Sequence, residues 1–516
     1  MTRWFNTAGP CRPEDHYMLS PVTRLPQVQR LIDQKSYFVI HAPRQIGKTT
    51  AITGLAQQLT ASGQYTAIVL SAEVGAPYSQ DIGGAEEAIL GSWRNKISLS
   101  LPSDLHPPIW TPSAPGQRIM SALQVWAQSS PRPLVIFIDE IDSLRDLALI
   151  SILRQLRDGY QNRPHGFPQS IGLIGLRDVR DYKMAAGGSD RLNTSSPFNI
   201  KVESLTMRNF YAEEVRELYQ QHTDDTGQIF TPEAIELVFE QTQGQPWLVN
   251  ALARQLIEVV APEPSITVTP SMVEAAKEIL IRRQDTHLDS LAERLREDRI
   301  KAIIEPMLAG MDLGNIPNED IQFVQDLGLC RMAPEGGLEI ANPIYREVLP
   351  RVLTVTPMAA MPKIAPSWLT VNGELDVDLL LHSFLDFWLQ HGEALLKSAS
   401  YPEIAPHLVM MAFLHRVVNG GGILTREYAI GLDRMDLCLR YGAVTLGIEL
   451  KVWRTRQSDP LTKGLPQLEG YLNRLKQSSG WLVIFDRRKK APALEDRLAI
   501  EPAVTASGHQ VTVIRA

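Results

Sequence analysis

Short, continuous apolar runs alternate with stretches of helical apolar spacing over the first two hundred residues. Tyr37 to Ile40 reads as a buried strand, and Thr49-Thr-Ala-Ile-Thr-Gly-Leu-Ala-Gln-Gln-Leu59 carries the spacing of a helix. Further strands are predicted at Tyr65–Glu73, Leu134–Ile138, Ser170–Arg177 and Phe198–Val202. Strands separated by helices of crossover length predict right-handed connections and a parallel sheet. The Pro-rich span Ser103 to Gly116 reads as a surface insertion with linker behaviour.

After Leu205 the pattern turns helical: Asn209 to His222, Pro232 to Thr242, and Gly244-Gln-Pro-Trp-Leu-Val-Asn-Ala-Leu-Ala-Arg-Gln-Leu256, with Gly244 and Pro246 marking a helix start. This predicts an α-helical lid. A Pro-rich stretch, Ala261 to Pro270, precedes a second helical set. There a helix (Asn318 to Leu327), a Gly328–Met332 segment, a Pro-Glu-Gly-Gly turn, Leu338-Glu-Ile340 and a final helix read as a winged-helix module. Such a module serves either DNA contact or packing against a partner, and both readings stay open. The expected organisation is a parallel-sheet core at 1–205, a lid at 206–270, the winged-helix-like module at 271–353, a linker at 354–368, and an α/β domain at 369–516.

The chain has 516 residues, 44% apolar and 21% charged, enough for three or four domains. Its net charge of −7 gives no global attraction to nucleic acid, so such a partner must meet a local patch. Cys11, Cys330 and Cys438 are far apart and have neither metal-ligand nor disulfide spacing, which suits a reducing cytoplasm. No apolar run approaches the ~20 residues that span a bilayer, and no signal-peptide segment opens the chain, so no membrane partner is expected.

The first chemical signal follows the Tyr37 strand. Pro43-Arg44-Gln45-Ile46-Gly47-Lys48-Thr49-Thr50 reads as a phosphate-binding loop, with Lys48 reaching the terminal phosphates and Thr49 holding Mg²⁺. Ala42 stands where this motif ordinarily has its first glycine. Leu134-Val-Ile-Phe-Ile-Asp-Glu-Ile-Asp142 supplies the partner, an apolar strand ending in acids. Asp139 is placed to hold the Mg²⁺ shell and Glu140 to orient and deprotonate a hydrolytic water. Arg177 and Arg180, at the end of the next strand, either sense a γ-phosphate or form surface ion pairs.

A second site is expected near the C-terminus. Asp436 lies thirteen positions before Glu449-Leu-Lys451, and a hairpin of that reach sets the two acids side by side. Two carboxylates with a main-chain carbonyl suit Mg²⁺ or Mn²⁺, and Lys451, on the strand face of Glu449, can stabilise charge developing on phosphate. The alternative is an exposed edge strand with a Glu/Lys pair. Glu403 either adds a carboxylate or is a helix-start acid. Gln467 and Tyr471, four apart on the next helix, share one face. From Lys451 to Lys490 ten Lys/Arg face three Asp/Glu, a local net of +7, as contact with a phosphate backbone requires.

Pro43-Arg-Gln-Ile-Gly-Lys-Thr49, Phe137-Ile-Asp-Glu140 and Gly244-Gln-Pro246 resemble motifs of bacterial AAA-like ATPases related to the archaeal ATPase and STAND group. Asp436, Glu449 and Lys451, with Gln467 and Tyr471, are similar to the core of the PD-(D/E)XK nuclease superfamily. Asp433 departs from that pattern, where glycine often precedes the arginine. The resemblances imply an α/β P-loop NTPase with lid and winged helix, followed by a PD-(D/E)XK-type α/β domain. They imply ATP and Mg²⁺ as cofactors, nucleic acid (DNA foremost) as partner, and assembly into a homo-oligomer with an arginine finger that no residue here can be assigned. Phage defence or mobile-element biology enters by family association alone. An ATP-dependent nucleic-acid-binding protein or a STAND-like scaffold with a non-cleaving domain is the alternative.

Overall fold

The computed structural model describes residues 3–176, 201–283, 294–308, 313–361, 366–397, 404–418, 422–427 and 436–516. Arg177, Arg180, Glu403 and Asp433 lie outside them. The chain divides into two compact units, residues 1–285 with 322–344, and residues 286–321 with 345–516.

The first unit is built on a parallel sheet of β1 (Tyr37–His41), β2 (Thr66–Ser71), β3 (Leu134–Asp139), β4 (Ser170–Gly175) and β5 (Lys201–Thr206), ordered β2-β3-β4-β1-β5. This order is typical of P-loop NTPases. Because side chains alternate along a strand, each run feeds two cores. Tyr37, Val39, Ile136 and Ile138 pack with α3 (Ile82–Ser100), α4 (Arg118–Ser129) and α5 (Asp146–Gly159). Phe38, Ile40, Val135 and Phe137 pack on the other face with α1 (Gln27–Asp33) and α2 (Lys48–Ala61).

The Pro-rich span between α3 and α4 is less free than its composition predicts. The fully buried Glu86 carboxylate accepts from the Gly116 amide (2.8 Å), the Arg118 amide (3.1 Å) and the Gln155 side chain (2.7 Å). The Trp126 indole N–H donates to the Leu105 carbonyl at 3.0 Å. A buried carboxylate must be satisfied, and here that need pins the insertion at Gly116, while the Trp126 bond pins it at Leu105.

Beyond β5 come α6 (Ala212–Thr226), α7 (Pro232–Thr242) and α8 (Pro246–Gln255), the helices expected over 206–270, and then α9 (Pro270–Arg283), which opens the second helical set. Helices α10 (Asp298–Leu308), α11 (Asn318–Asp326) and α12 (Pro343–Ala360) follow, with the antiparallel pair β6 (Cys330–Met332) and β7 (Leu338–Ile340) between the last two. The expected module at 271–353 is divided between the two compact units. The expected linker is also shortened, since α12 continues to Ala360. Leu353 and Thr354 are buried, and the Thr354 hydroxyl bonds the Pro350 carbonyl at 2.6 Å.

The second unit carries a six-stranded mixed sheet ordered β12-β13-β11-β10-β9-β8. Its strands are β8 (Ile423–Glu427), β9 (Asp436–Tyr441), β10 (Val444–Trp453), β11 (Ser479–Asp486), β12 (Ala499–Val504) and β13 (Gln510–Arg515). β10 is antiparallel to β9 and parallel to β11. Helix α13 (Val377–Phe387), the almost wholly buried α14 (Ala405–Val418) and α15 (Leu461–Leu475) complete the unit's core. Among the described residues no helix is long and apolar enough to cross a membrane.

Candidate nucleotide site and candidate nuclease site

The loop from β1 to α2 turns on two left-handed residues, Gln45 (φ 59°) and Gly47 (φ 90°). A helix start leaves its first amides without intrahelical partners, so α2 presents donors at the C-terminal edge of the sheet. Ala42, which replaces the usual glycine, is buried, and its amide bonds the Gly175 carbonyl at 3.4 Å. The Lys48 ammonium donates to the carbonyls of Ala42 (2.8 Å) and Pro43 (2.9 Å). The Thr49 hydroxyl donates to Asp139 at 2.7 Å, joining the loop to the end of β3 across 90 positions of sequence. The neighbouring Thr50 hydroxyl turns elsewhere and accepts from the Cys11 amide at 3.1 Å.

Glu140 follows Asp139 in left-handed conformation (φ 54°), which turns the chain out of β3 directly after the buried acid. For a residue with a Cβ this conformation costs roughly 1–2 kcal/mol, a cost commonly met at functional sites. Burial raises the Asp139 carboxyl above the ordinary carboxylate range, against the Thr49 and Glu140 hydrogen bonds. Glu140 is raised too, first by desolvation and then by Asp142 and Asp139. Burial lowers the Lys48 ammonium, opposed by the same three acids. A cation and three acids thus share a poorly solvated edge, where opposite charges on a ligand interact strongly.

Arg24 escapes sequence reasoning. Its guanidinium donates to the Ile46 carbonyl (2.8 Å) and the Arg208 carbonyl (3.3 Å) and lies 4.8 Å from the Phe210 ring centroid. Burial pushes it down to about 10. It thereby ties the phosphate-loop backbone to the segment leading into α6. That segment is held in turn at Gly244, whose carbonyl accepts from the Phe210 amide at 2.9 Å. Asp142, visible in the sequence as the last acid of its run, accepts from the Leu176 amide at 3.1 Å and so fixes the chain beyond β4. The N-terminal segment contributes as well: the Trp247 indole donates to the Thr7 carbonyl at 2.9 Å, next to the Gly244-Gln-Pro246 helix start. Pro43 is also covered, since a Cβ on Gly328 would lie 2.8 Å from its side chain.

In the second unit the β9–β10 register runs from Val444 opposite Tyr441 to Ile448 opposite Leu437, one position short of Glu449 on β10 and of Asp436, which opens β9. Glu449 is fully buried and pairs with the Lys451 ammonium at 2.5 Å. Tyr471 is also fully buried: its ring packs where a Cβ on Gly447 would sit, 3.0 Å away. Gln467, one turn earlier on α15, has a buried side-chain oxygen with no hydrogen-bond partner among the described residues. Tyr471 therefore packs on β10, the strand that carries Glu449 and Lys451. Among the described residues no group of three or more His, Cys, Asp or Glu could hold a metal.

No family model and no curated protein matches the chain. Among solved structures it is similar to the Walker-type ATPase PABY2304 of Pyrococcus abyssi, at 11% identity over 67% of this chain and 99% of that one, TM-score 0.46. It is also similar to the RuvB Holliday junction branch migration motor of Thermotoga maritima, at 14% identity over 62% and 89%, TM-score 0.34. The ORC2 protein of Aeropyrum pernix is similar at 14% identity over 66% and 94%, TM-score 0.37.

Proposed function

We propose that this chain binds and hydrolyses ATP at the first site and cuts nucleic acid with a divalent metal at the second, the first controlling the second. The observation that carries the ATPase reading is the 2.7 Å bond from Thr49 to Asp139 beside a lysine that now rests on loop carbonyls. The bond pairs a hydroxyl and a carboxylate, the hard oxygens that Mg²⁺ takes. Mg²⁺ supplies charge neutralisation across the phosphates when it arrives with the nucleotide. Lys48 exchanges its carbonyl partners for phosphate oxygens, and the amides opening α2 receive the same anion. Glu140, held out of β3 by its left-handed turn, orients the attacking water and takes its proton. Its raised carboxyl makes it a better base than an ordinary glutamate.

For the second site, Asp436 and Glu449, each next to the last paired residues Leu437 and Ile448, support a metal-binding pair, and the half-buried Lys451 beside Glu449 supports a role in stabilising charge on the cut phosphodiester. The metal supplies a Lewis acid there. Mg²⁺ or Mn²⁺ suits these oxygens, and DNA is the proposed substrate.

The ATPase reading is tested by phosphate release and nucleotide binding with purified protein. Glu140→Gln should keep ATP affinity and lose about 10²-fold or more in turnover. Lys48→Ala should lose affinity itself. Unchanged turnover in both variants would overturn the assignment.

A further inference from the structure

The parallel pair β10 and β11 ends in two turns that hold much of the local positive charge. After Trp453 the chain closes a tight turn, with the Gln457 amide on the Arg454 carbonyl at 3.2 Å. After Asp486 it closes another, with the Ala491 amide on the Arg488 carbonyl at 3.0 Å. The turns are locked together. The Arg487 amide donates to the Trp453 carbonyl at 2.8 Å, and the Lys489 amide to the Thr455 hydroxyl at 2.9 Å. The Trp453 indole N–H reaches the Gln457 carbonyl at 3.1 Å, and the Arg488 guanidinium lies 3.6 Å from the same ring.

Apart from Arg454, which has a partner of its own, the cations here fall into two groups. Arg488 is engaged by Asp486 through two bonds (2.9 and 2.6 Å), and Arg515 by Asp459 and Glu501 at 3.0 Å each. These pairs satisfy the nearby acids. Arg456, Arg487, Lys489 and Lys490 are exposed, and among the described residues none of their side chains enters an ion pair or hydrogen bond. Arg456 even occupies a left-handed position (φ 72°), where backbone sterics favour glycine. Like charges held close together in an otherwise acidic chain repel one another unless an anion lies across them.

The turn amides named above are already bonded within the protein, so they offer no cradle for a single small phosphate. Side-chain charges on a rigid edge suit a long polyanion instead. The edge also continues the strand of the second site, since Trp453 follows Lys451 by two positions and shares its face.

We propose that the paired turns 454–457 and 487–490 clamp the phosphodiester backbone of DNA beside Glu449 and Lys451. This rests on reading the second unit as a DNA-cutting domain.

The test is anisotropy of a labelled DNA duplex with the full-length chain in EDTA, across a salt series. Neutralising all four positions (Arg456→Gln, Arg487→Gln, Lys489→Gln, Lys490→Gln) should weaken binding at least 10-fold. It should also reduce the log–log salt slope by about 3 to 4, one contact removing about 0.9. ATP turnover without DNA should not change, which reports intact folding of the first unit, and the thermal melt should report that of the second. Neutralising Lys463 and Lys476 on and beside α15 should leave the slope in place. Equal loss from that control, an unchanged slope in the fourfold variant, tighter binding of a matched RNA duplex, or displacement of DNA by millimolar inorganic phosphate would each overturn the clamp. If cutting still depends on Asp436 while the fourfold variant binds normally, only the clamp fails. A chain that neither binds nor cuts DNA removes both readings.

Discussion

At the residue scale, the buried charges of the two sites make distinct predictions. Asp139 is raised in the folded chain, so between the unfolded value, about 3.9, and the folded one the folded state holds more protons. Stability therefore falls as pH rises through that window, and the penalty is complete above it. Asp139→Asn, which still accepts from Thr49, should stabilise the nucleotide-free protein at pH 8 and raise its melting temperature, by about 1.4 kcal/mol for each tenfold loss of acidity that burial imposes on the carboxyl. The gain should vanish below the ordinary carboxylate range. A lower melting temperature at pH 8 would contradict the burial cause. In the second unit, Lys451→Met strands a buried carboxylate and should cost about 3–5 kcal/mol in denaturant unfolding, most of it recovered by adding Glu449→Gln. Arg24→Ala should cost about 1–3 kcal/mol, because the Ile46 and Arg208 carbonyls lose a charged donor.

At the scale of elements, local signals and long-range ones separate cleanly. β1, α2 and β3 were legible because an apolar run, a Gly-Lys-Thr helix start and a terminal acid are all local patterns. The hairpin spacing from Asp436 to Glu449 was legible for the same reason, and the backbone register pairs their neighbours Leu437 and Ile448. The Arg24 tie was not legible, since its partners lie 22 and 184 positions away and nothing local distinguishes this arginine. The anchoring of the Pro-rich insertion escaped similarly, because Glu86 reads as a surface acid until α3 and α4 are packed. Composition misled at 354–360, where proline and alanine suggested a linker and the helix from Pro343 runs on to Ala360. Gly244 tests the lid's attachment: a Cβ there would lie 2.0 Å from the Phe210 carbonyl oxygen, and φ is +67°. Gly244→Ala should cost at least about 1–3 kcal/mol and raise the KM for ATP. Normal melting and normal kinetics would contradict a rigid attachment.

At the scale of the whole molecule, a chain of net charge −7 gathers a local net of +7 between Lys451 and Lys490, within the second unit, while the phosphate loop belongs to the first. The proposed nucleotide turnover and the proposed phosphodiester cleavage therefore fall in separate units, and control of one by the other requires the two to communicate. The most direct measurement is cleavage of supercoiled plasmid, single-stranded DNA and RNA with Mg²⁺ or Mn²⁺, with and without ATP, by the wild type, Asp436→Ala and Lys48→Ala. Metal-dependent cutting of DNA is expected, abolished by Asp436→Ala and responsive to ATP only while Lys48 is intact. ATP hydrolysis with no cutting of any of these substrates, or cutting that persists in Asp436→Ala, would contradict an ATP-controlled nuclease.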